Sequence, residues 1–500
     1  MRELQVYLEL LQKEGLAVKS RLYGREKEPV RKLSYKSKEA EPGTLFICKG
    51  AAFRREYLEE AAAGGAVCYV SERDYGIGRV PYILVTDVRA AMAVLAKEFY
   101  RIPDGALRCV GITGTKGKTT TACYIKGIFD EYRRRAGQPE IACLTSVGMY
   151  DGKAWEKAEL TTPEAPELYR HFRNAWRGRS GYLVMEVSSQ ALKYQRVRGV
   201  RFDTGIFLNI SEDHISPEEH ENFEDYFASK LGMFRQTDTA VVNLDSPESE
   251  RVLEAASAAR RVLTFGTSPQ ADICGHDIWL KDGKICFSVS CDRFEQDFEL
   301  AMHGVFNVEN ALAAIAAAYL EGIPPEDMRE GLRRVTVSGR MEEFSGRGGK
   351  VRAIVDYAHN ALSFRKIFDA VRMEYPGYDL ISVFGCPGGK ALNRRKELGL
   401  IAGRNCRKIY LSTDDPGPER TGDIMKKVGY YVQKTGCPYE CIPDREEAIR
   451  KALEEAEDYT VVLVLGKGNE TTQRIGRFRQ LCRADSEIVR ECLKQSANAV

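Results

Sequence analysis

Residues 109–121, CVGITGTKGKTTT, constrain the fold more than any other stretch of the chain. An apolar, β-branched run reaches Gly114, a second glycine follows at Gly117, and Lys118, Thr119 and Thr120 open what reads as a helix. Such a strand–turn–helix junction holds phosphate: glycine lets backbone N–H groups converge on the oxygens and the helix adds its positive N-terminal end. Lys118 neutralises the outer phosphates and Thr119 can hold Mg²⁺. Position 112 is Ile where the common form of this loop has glycine. A switch, a pump, a kinase and a ligase all use such a loop, so the rest of the chain must decide between them.

From residue 105 onward, short apolar runs alternate with longer amphipathic stretches, the pattern of parallel strands joined by helices. Strands are expected at 109–114, 142–147, 182–187, 204–210 and 240–245, which together describe a doubly wound α/β sheet. Within 272–300, two-residue alternation and an Asp282-Gly283 turn predict a small antiparallel β subdomain. An alanine-rich helix over NVENALAAIAAAYLEGI follows, and a new Rossmann-like strand–helix series begins with VRAIVDYAH. Five hundred residues exceed one core; domains of roughly 100–200 residues suggest about three. The expected divisions are 1–104, 105–338 and 339–500.

Lys plus Arg (74) nearly cancel Asp plus Glu (72), so neither nucleic acid nor an anionic membrane is implied as a partner. The longest apolar run, 459–465, is far short of the roughly 20 residues of a membrane span. The N-terminus carries Leu4, Leu8 and Leu11 at helical spacing without the apolar core of a signal peptide. A cytoplasmic monomer acting on small molecules is expected. Fourteen cysteines without a Cys-x-x-Cys pair indicate neither a disulfide framework nor a zinc site.

A phosphate loop needs an acidic partner at a neighbouring strand end to share its metal. Glu186 in LVMEVSSQAL ends one apolar strand and His214 in LNISEDHIS follows another. Taken singly, Glu186 could cap a helix and His214 could be a satisfied polar residue. Their shared position favours a Mg²⁺ shell completed by phosphate oxygens and water.

TGTKGKTTT, TTPE (161–164), MEVSSQAL (185–192) with Arg196, NISEDH (209–214), FEDYFASKLGMF (223–234), FNVENALAA (306–314), GRME (339–342), DYAH (356–359) and DDPGPE (414–419) resemble, in this order, the motifs of the Mur ligase family. The resemblance spans essentially the whole chain. It implies three domains that bind a UDP-sugar peptide, ATP and an incoming amino acid. ATP converts a carboxylate into an acyl phosphate, which an amine then attacks. The residues are nearest to members that add the third amino acid to UDP-N-acetylmuramoyl-L-alanyl-D-glutamate during peptidoglycan synthesis.

By position, the resemblance assigns ATP contacts to Gly114, Thr115, Lys116, Gly117, Lys118, Thr119 and Thr120, with Asn307 and Asn310 at the adenine and Arg340 reaching from the third domain. Metal ligands would be Thr119, Glu186, His214 and Lys230, the last as a carbamate, since an ammonium repels Mg²⁺. A solvated helix lysine is the alternative at 230. Ser37, Thr161, Thr162, Ser188 and Arg196 would grip the muramoyl peptide, although Arg196 could be a surface arginine. Lys118, Lys230, Asp356 and His359 would form the catalytic set, with His359 alternatively capping its strand–helix turn. Asp414, Asp415, Gly466 and Glu470 would take the amino acid.

Departures concentrate on recognition. Asp414-Asp415-Pro416-Gly417 stands where members using meso-diaminopimelate carry an arginine for its distal carboxylate. A side chain ending in an ammonium suits the extra carboxylate better, so L-lysine is expected, with ornithine or meso-diaminopimelate as alternatives. Gln190, Asn469, Gly389-Lys390-Ala391 and Lys36-Ser37-Lys38 also differ from the usual residues. They leave open another carboxylate substrate, as in a paralogue of secondary metabolism.

Overall fold

The architecture was analysed in a computed structural model, which describes residues 2–212, 215 and 219–498. Three sheets of four or more strands follow one another along the chain. Five strands between Ala17 and Val85 form the first. The second has eleven strands between Arg108 and Leu300, and the third has six between Glu342 and Leu465.

The strand Arg108–Thr113 lies at the centre of the second sheet. Tyr182–Glu186 flanks it on one side and Phe202–Phe207 on the other, both parallel to it, with Glu186 opposite Ile112 and Phe207 opposite Thr113. The chain therefore leaves the central strand toward opposite sides, opening a crevice beyond the carboxyl ends, where open α/β sheets bind ligands. Antiparallel strands Ile273–Lys281, Lys284–Ser290 and Glu295–Leu300 follow the expected hairpin pattern. They extend the same sheet, because Ile273 pairs in parallel with Phe265.

Helices cover the sheet faces as their residue patterns require. Lys118–Arg135 buries Tyr124, Ile125, Ile128 and Phe129, while the alanine-rich Asn307–Leu320 is buried along nearly its whole length. Small alanine side chains let this second helix lie close to its neighbours, which brings Asn307 and Asn310 to the phosphate loop. In the third sheet the central strands are parallel, and Glu342–Gly346 adds antiparallel at one edge. Residues 333–341 carry the chain from the second sheet's layer to the third. Among the described residues no helix is long and apolar enough to cross a membrane.

Candidate active site

The phosphate loop is shaped by close packing as well as by glycine. Gly117 has φ +89°, and a Cβ there would lie 2.1 Å from Asn310 Oδ1. The Thr115 N–H donates to the Asn209 carbonyl at 3.0 Å, and the Lys116 N–H donates to Asn209 Oδ1 at 2.9 Å. Asn209 thus holds the loop from the end of the adjacent strand. Lys118 turns back, its Nζ donating to the carbonyls of Gly114 (2.8 Å) and Thr115 (3.2 Å). These are the positions a phosphate would compete for.

Thr119 and Glu186 meet as expected. Thr119 Oγ1 donates to Glu186 Oε1 at 2.8 Å and lies 3.0 Å from Ser146 Oγ, whose N–H donates to the same carboxylate oxygen at 2.8 Å. A buried carboxylate with two hydroxyls is a set of hard oxygen donors, which suits Mg²⁺. Ser146 is the member the residue pattern did not reveal, because it follows a different strand, Ala142–Thr145. His214 lies outside the described residues.

Lys230 sits on the helix Phe223–Leu231 and is 2 % exposed, not a solvated lysine. Its Nζ donates to the Gly114 carbonyl at 2.9 Å and rests 4.7 Å from the Tyr226 ring centroid. Tyr226 in turn bonds Thr115 Oγ1 at 3.1 Å. The helix therefore touches the underside of the loop at two points.

Arg196 is likewise buried rather than a surface arginine. Its Nε is 3.1 Å from Glu164 Oε1, and its Nη1 donates to the Thr162 carbonyl at 3.3 Å. Lys49, which follows the first-sheet strand Thr44–Ile47, approaches the same Glu164 oxygen at 2.7 Å. Thr162 Oγ1 donates to the Glu186 carbonyl (2.9 Å) and to Ser188 Oγ (3.3 Å). Ser37 lies in the short turn Ser37–Glu39, half-buried. Two cations around one carboxylate leave a local positive excess, suited to an anionic substrate. Lys49 is not legible as a site member in the sequence because Glu164 is 115 positions away.

The third sheet closes the cleft. Its volume is about 390 Å³, and Lys116, Lys118, Thr119, Thr161, Glu186 and Asn310 face Arg340, His359, Asp414 and Glu470 across it. The linking residues are tightly fitted: Gly339 has φ +68°, and a Cβ there would meet the Asn469 nitrogen at 2.5 Å. Arg340 lies over the Tyr357 ring at 4.4 Å. Asp356 uses both carboxylate oxygens on backbone, accepting from Met341 N–H (2.8 Å) and Ala358 N–H (2.7 Å). Burial pushes its carboxyl up, against the pull of Arg340.

The Asp414 end of the cleft shows a redistribution of charge that residue counting missed. Lys467 is 2 % exposed and bridges Asp415 Oδ1 (3.3 Å) and Glu470 Oε2 (2.9 Å). Burial lowers its pKa, but Asp414, Glu470 and Asp415 together outweigh this and hold it up. Asp415 also accepts the Arg474 N–H at 3.1 Å. The surplus negative charge expected at Asp415 is thus already compensated within the protein. Asp414, half-buried beside Gly466, lines the cleft and its carboxyl is raised by burial despite Lys467 and Arg445. Arg445 fastens this end from behind, bidentate to Asp485 at 2.7 Å and donating to the Leu465 carbonyl at 2.9 Å.

A nucleotide-type loop facing an acidic pocket across a two-layer cleft defines an ATP-utilising ligase of the three-sheet kind. Residues 112–318 match the Mur ligase middle domain and residues 339–468 the Mur ligase glutamate ligase domain. The chain belongs to the Mur ligase family. It is 37 % identical over 453 residues to the UDP-N-acetylmuramoyl-L-alanyl-D-glutamate--L-lysine ligase of Enterococcus faecalis, covering 89 % of this chain and 88 % of that protein. It is 36 % identical over 466 residues to the UDP-N-acetylmuramyl-tripeptide synthetase of Lactobacillus acidophilus, with 89 % and 88 % covered. A solved UDP-N-acetylmuramoyl-L-alanyl-D-glutamate--2,6-diaminopimelate ligase shares the fold, with TM-score 0.66 and 24 % identity over 99 % of this chain and 100 % of that one.

Proposed function

We propose that this protein is an ATP-dependent amide ligase that joins L-lysine to UDP-N-acetylmuramoyl-L-alanyl-D-glutamate in peptidoglycan synthesis. The observation that carries this reading is the single cleft in which a phosphate loop, with Lys118, Thr119 and Glu186, faces the acidic pocket of Asp414 and Glu470. The L-lysine ligases among its relatives support the choice of substrates. We also assign residues 1–104 to the UDP-sugar, 105–338 to ATP and 339–500 to the amino acid.

A carboxylate at neutral pH does not react with amines, so it must first gain a leaving group. Its oxygen attacks the terminal phosphorus of ATP, the bond to the β-phosphate oxygen breaks, and ADP departs. The amine nitrogen then attacks the acyl phosphate carbon, loses a proton, and expels inorganic phosphate. Lys116 and Lys118 supply positive charge where the transferring oxygens gather it. Arg196 and Lys49 draw the anionic peptide toward the loop, and Thr162 fixes the backbone at Glu186. Closure of the third sheet's layer, through His359 and Arg340, keeps water from the acyl phosphate.

Mg²⁺ fits Thr119 and Glu186, and when bound it neutralises charge on the phosphate oxygens. A carbamate on Lys230 would bring two further oxygens beneath the loop. L-lysine suits a pocket lined by Asp414 and Glu470, with Gly417 at the motif position where an arginine would pair with a distal carboxylate.

The test is incubation of purified protein with the UDP-muramoyl dipeptide, ATP, Mg²⁺ and each of L-lysine, L-ornithine and meso-diaminopimelate. Coupled phosphate release is expected with L-lysine, and oxygen-18 placed in the acceptor carboxylate should emerge in the phosphate. Turnover with meso-diaminopimelate alone would overturn the choice of amino acid. Phosphate free of label during productive coupling would overturn the acyl phosphate.

A further inference from the structure

His303 stands immediately before the alanine-rich helix, on the second sheet's side, and both its ring nitrogens point at carboxylates from the third sheet's layer. Nε2 is 2.6 Å from Glu343 Oε2 on the strand Glu342–Gly346, and Nδ1 is 2.8 Å from Glu374 Oε2 at the end of the helix Ala361–Glu374. A carboxylate can only accept, so both nitrogens must donate, which only the imidazolium can do. Glu374 also accepts the Gly304 N–H at 2.7 Å. Glu343 is further bonded by Tyr375 OH (2.6 Å) and Arg352 Nη1 (2.8 Å). The cation also lies at a helix C-terminus, where the helix dipole favours positive charge.

The same residue is the first link of a chain leading to the phosphate loop. Asn307 Nδ2 donates to the His303 carbonyl at 2.6 Å, and Asn310 Nδ2 donates to Asn307 Oδ1 at 2.9 Å. Asn310 Oδ1 then accepts from Thr121 Oγ1 at 3.4 Å and lies against Gly117, so close that a Cβ there would sit 2.1 Å away. No other histidine described here bridges the two layers through two carboxylates. His359 spans the same gap through Lys116, while its other ring nitrogen stays with the Tyr357 carbonyl of its own layer.

We propose that His303 is an interdomain positioning residue: its protonated ring, clamped between Glu343 and Glu374, couples the posture of the third sheet to the Asn307–Asn310 link under the phosphate loop, and deprotonation releases that coupling. Burial on its own lowers the ring's pKa, but hydrogen bonds to Glu343 and Glu374 outweigh it and hold it at about 9. An imidazole freed from the clamp returns to its ordinary value of 6.5. Raised pKa in the closed form means closure is favoured in full below 6.5 and loses this support as pH climbs through 9. The groups facing the ring are Glu343, Glu374 and Tyr375, with Arg352 behind Glu343. The influence on nucleotide binding rests on the ATP-binding role proposed above, whereas the clamp itself does not.

The experiment compares full-length wild type with His303→Gln, His303→Lys and Glu374→Gln, each checked for folding by circular dichroism. Histidine labelled with carbon-13 at Cε1 reports ring protonation by nuclear magnetic resonance, and the resonance missing from His303→Gln assigns His303. A titration midpoint near 9 is expected in wild type, moving toward 6.5 in Glu374→Gln. Small-angle scattering without nucleotide should show wild type expanding between pH 7 and 10. His303→Gln should already be expanded at pH 7, and His303→Lys, whose ammonium ordinarily titrates at about 10.4 and so keeps most of its charge at pH 10, should stay compact at both. Affinity for ADP should fall about tenfold in His303→Gln and become insensitive to alkaline pH in His303→Lys. A midpoint near 6.5 in wild type, or the same alkaline expansion in His303→Lys, would overturn the clamp. Failure to bind ADP in every form, with the resonance and scattering results intact, would instead overturn the nucleotide role.

Discussion

Lys116, in the phosphate loop, donates its Nζ to Nε2 of His359 across the cleft, 3.2 Å apart although 243 positions separate them. The roles follow from the other ring nitrogen. His359 Nδ1 lies 2.7 Å from the Tyr357 carbonyl, which can only accept, so Nδ1 carries the proton and Nε2 presents its lone pair. The contact ties loop and third sheet together across the cleft, where the proposed acyl phosphate would need shielding.

His359→Ala should therefore lower kcat by about 100-fold, the cost of misplacing reacting groups by a small distance. The KM for ATP should change little, because the loop keeps Asn209 and Lys118. Steady-state phosphate release at varied ATP measures both; an unchanged kcat would remove His359 from the closed site.

Glu186→Gln keeps a hydrogen-bond acceptor for Thr119 Oγ1 and Ser146 N–H but discards the charge. Turnover should drop about 100-fold or more while thermal stability holds, as expected when an electrostatic group serving the transition state is lost. Raised Mg²⁺ should recover part of the rate if the carboxylate serves the ion. Full activity at ordinary Mg²⁺ would exclude that role.

Lys230→Ala removes the buried group beneath Gly114. Activity should disappear and return in part when acetate or another short carboxylate is added, if the missing group is a carbamate. Stripping carbon dioxide from wild-type protein should slow it reversibly. Absence of both rescue and carbon dioxide dependence would leave Lys230 a structural role beneath the loop, through its bond to the Gly114 carbonyl and its place over the Tyr226 ring.

Asp414→Asn should raise the KM for L-lysine at least tenfold and leave that for ATP within about threefold, as befits a lost charge-assisted contact of roughly 1.5–3 kcal/mol. Asp415→Asn should have the smaller effect on L-lysine, because Lys467 and the Arg474 N–H already occupy Asp415. The reverse order of the two effects would restore Asp415 as the recognition residue.

Asp151 is buried against His171, whose Nδ1 is 2.8 Å from it, and Asn174 Nδ2 donates to the same oxygen at 2.8 Å. Burial raises its carboxyl, but these hydrogen bonds outweigh it and lower the pKa from 3.8 to about 2. A depressed carboxylate stabilises the fold above pH 3.8, and that contribution fades as pH falls through 2. Urea midpoints measured from pH 5 to pH 2 should fall more steeply in wild type than in Asp151→Asn; parallel curves would discount the pair. Glu156 completes a metal-like trio with Asp151 and His171, yet the Arg170 guanidinium bonds both its oxygens at 2.7 and 2.6 Å and takes the place of a cation.

Elements with strong periodicity were legible directly. The phosphate-loop strand lies within a residue of its expected bounds, the helix after it opens at Lys118 as expected, the Asp282-Gly283 turn joins two antiparallel strands, and the alanine-rich helix starts at Asn307 as expected but ends at Leu320, three residues short. Local chemistry decides these, since glycine, β-branching and alternation act over a few positions. Ser146, Lys49 and Lys467 were not legible as site members. Each gains its meaning from a partner brought near by another strand or sheet, and a lysine followed by glycine looks the same whether solvated or buried.

The residue order alone determined that a phosphate loop opens a parallel sheet, and that glycine, lysine and hydroxyl groups stand ready at its edge, because those demands are met within one strand–turn–helix unit. Folding decided which charges remain available. Lys467 bridges Asp415 and Glu470 and also faces Asp414, and His303 acquires two carboxylates from a distant layer. Net charge counts residues, whereas the field in a pocket falls with distance and rises with burial, and those two quantities exist only once the layers have packed.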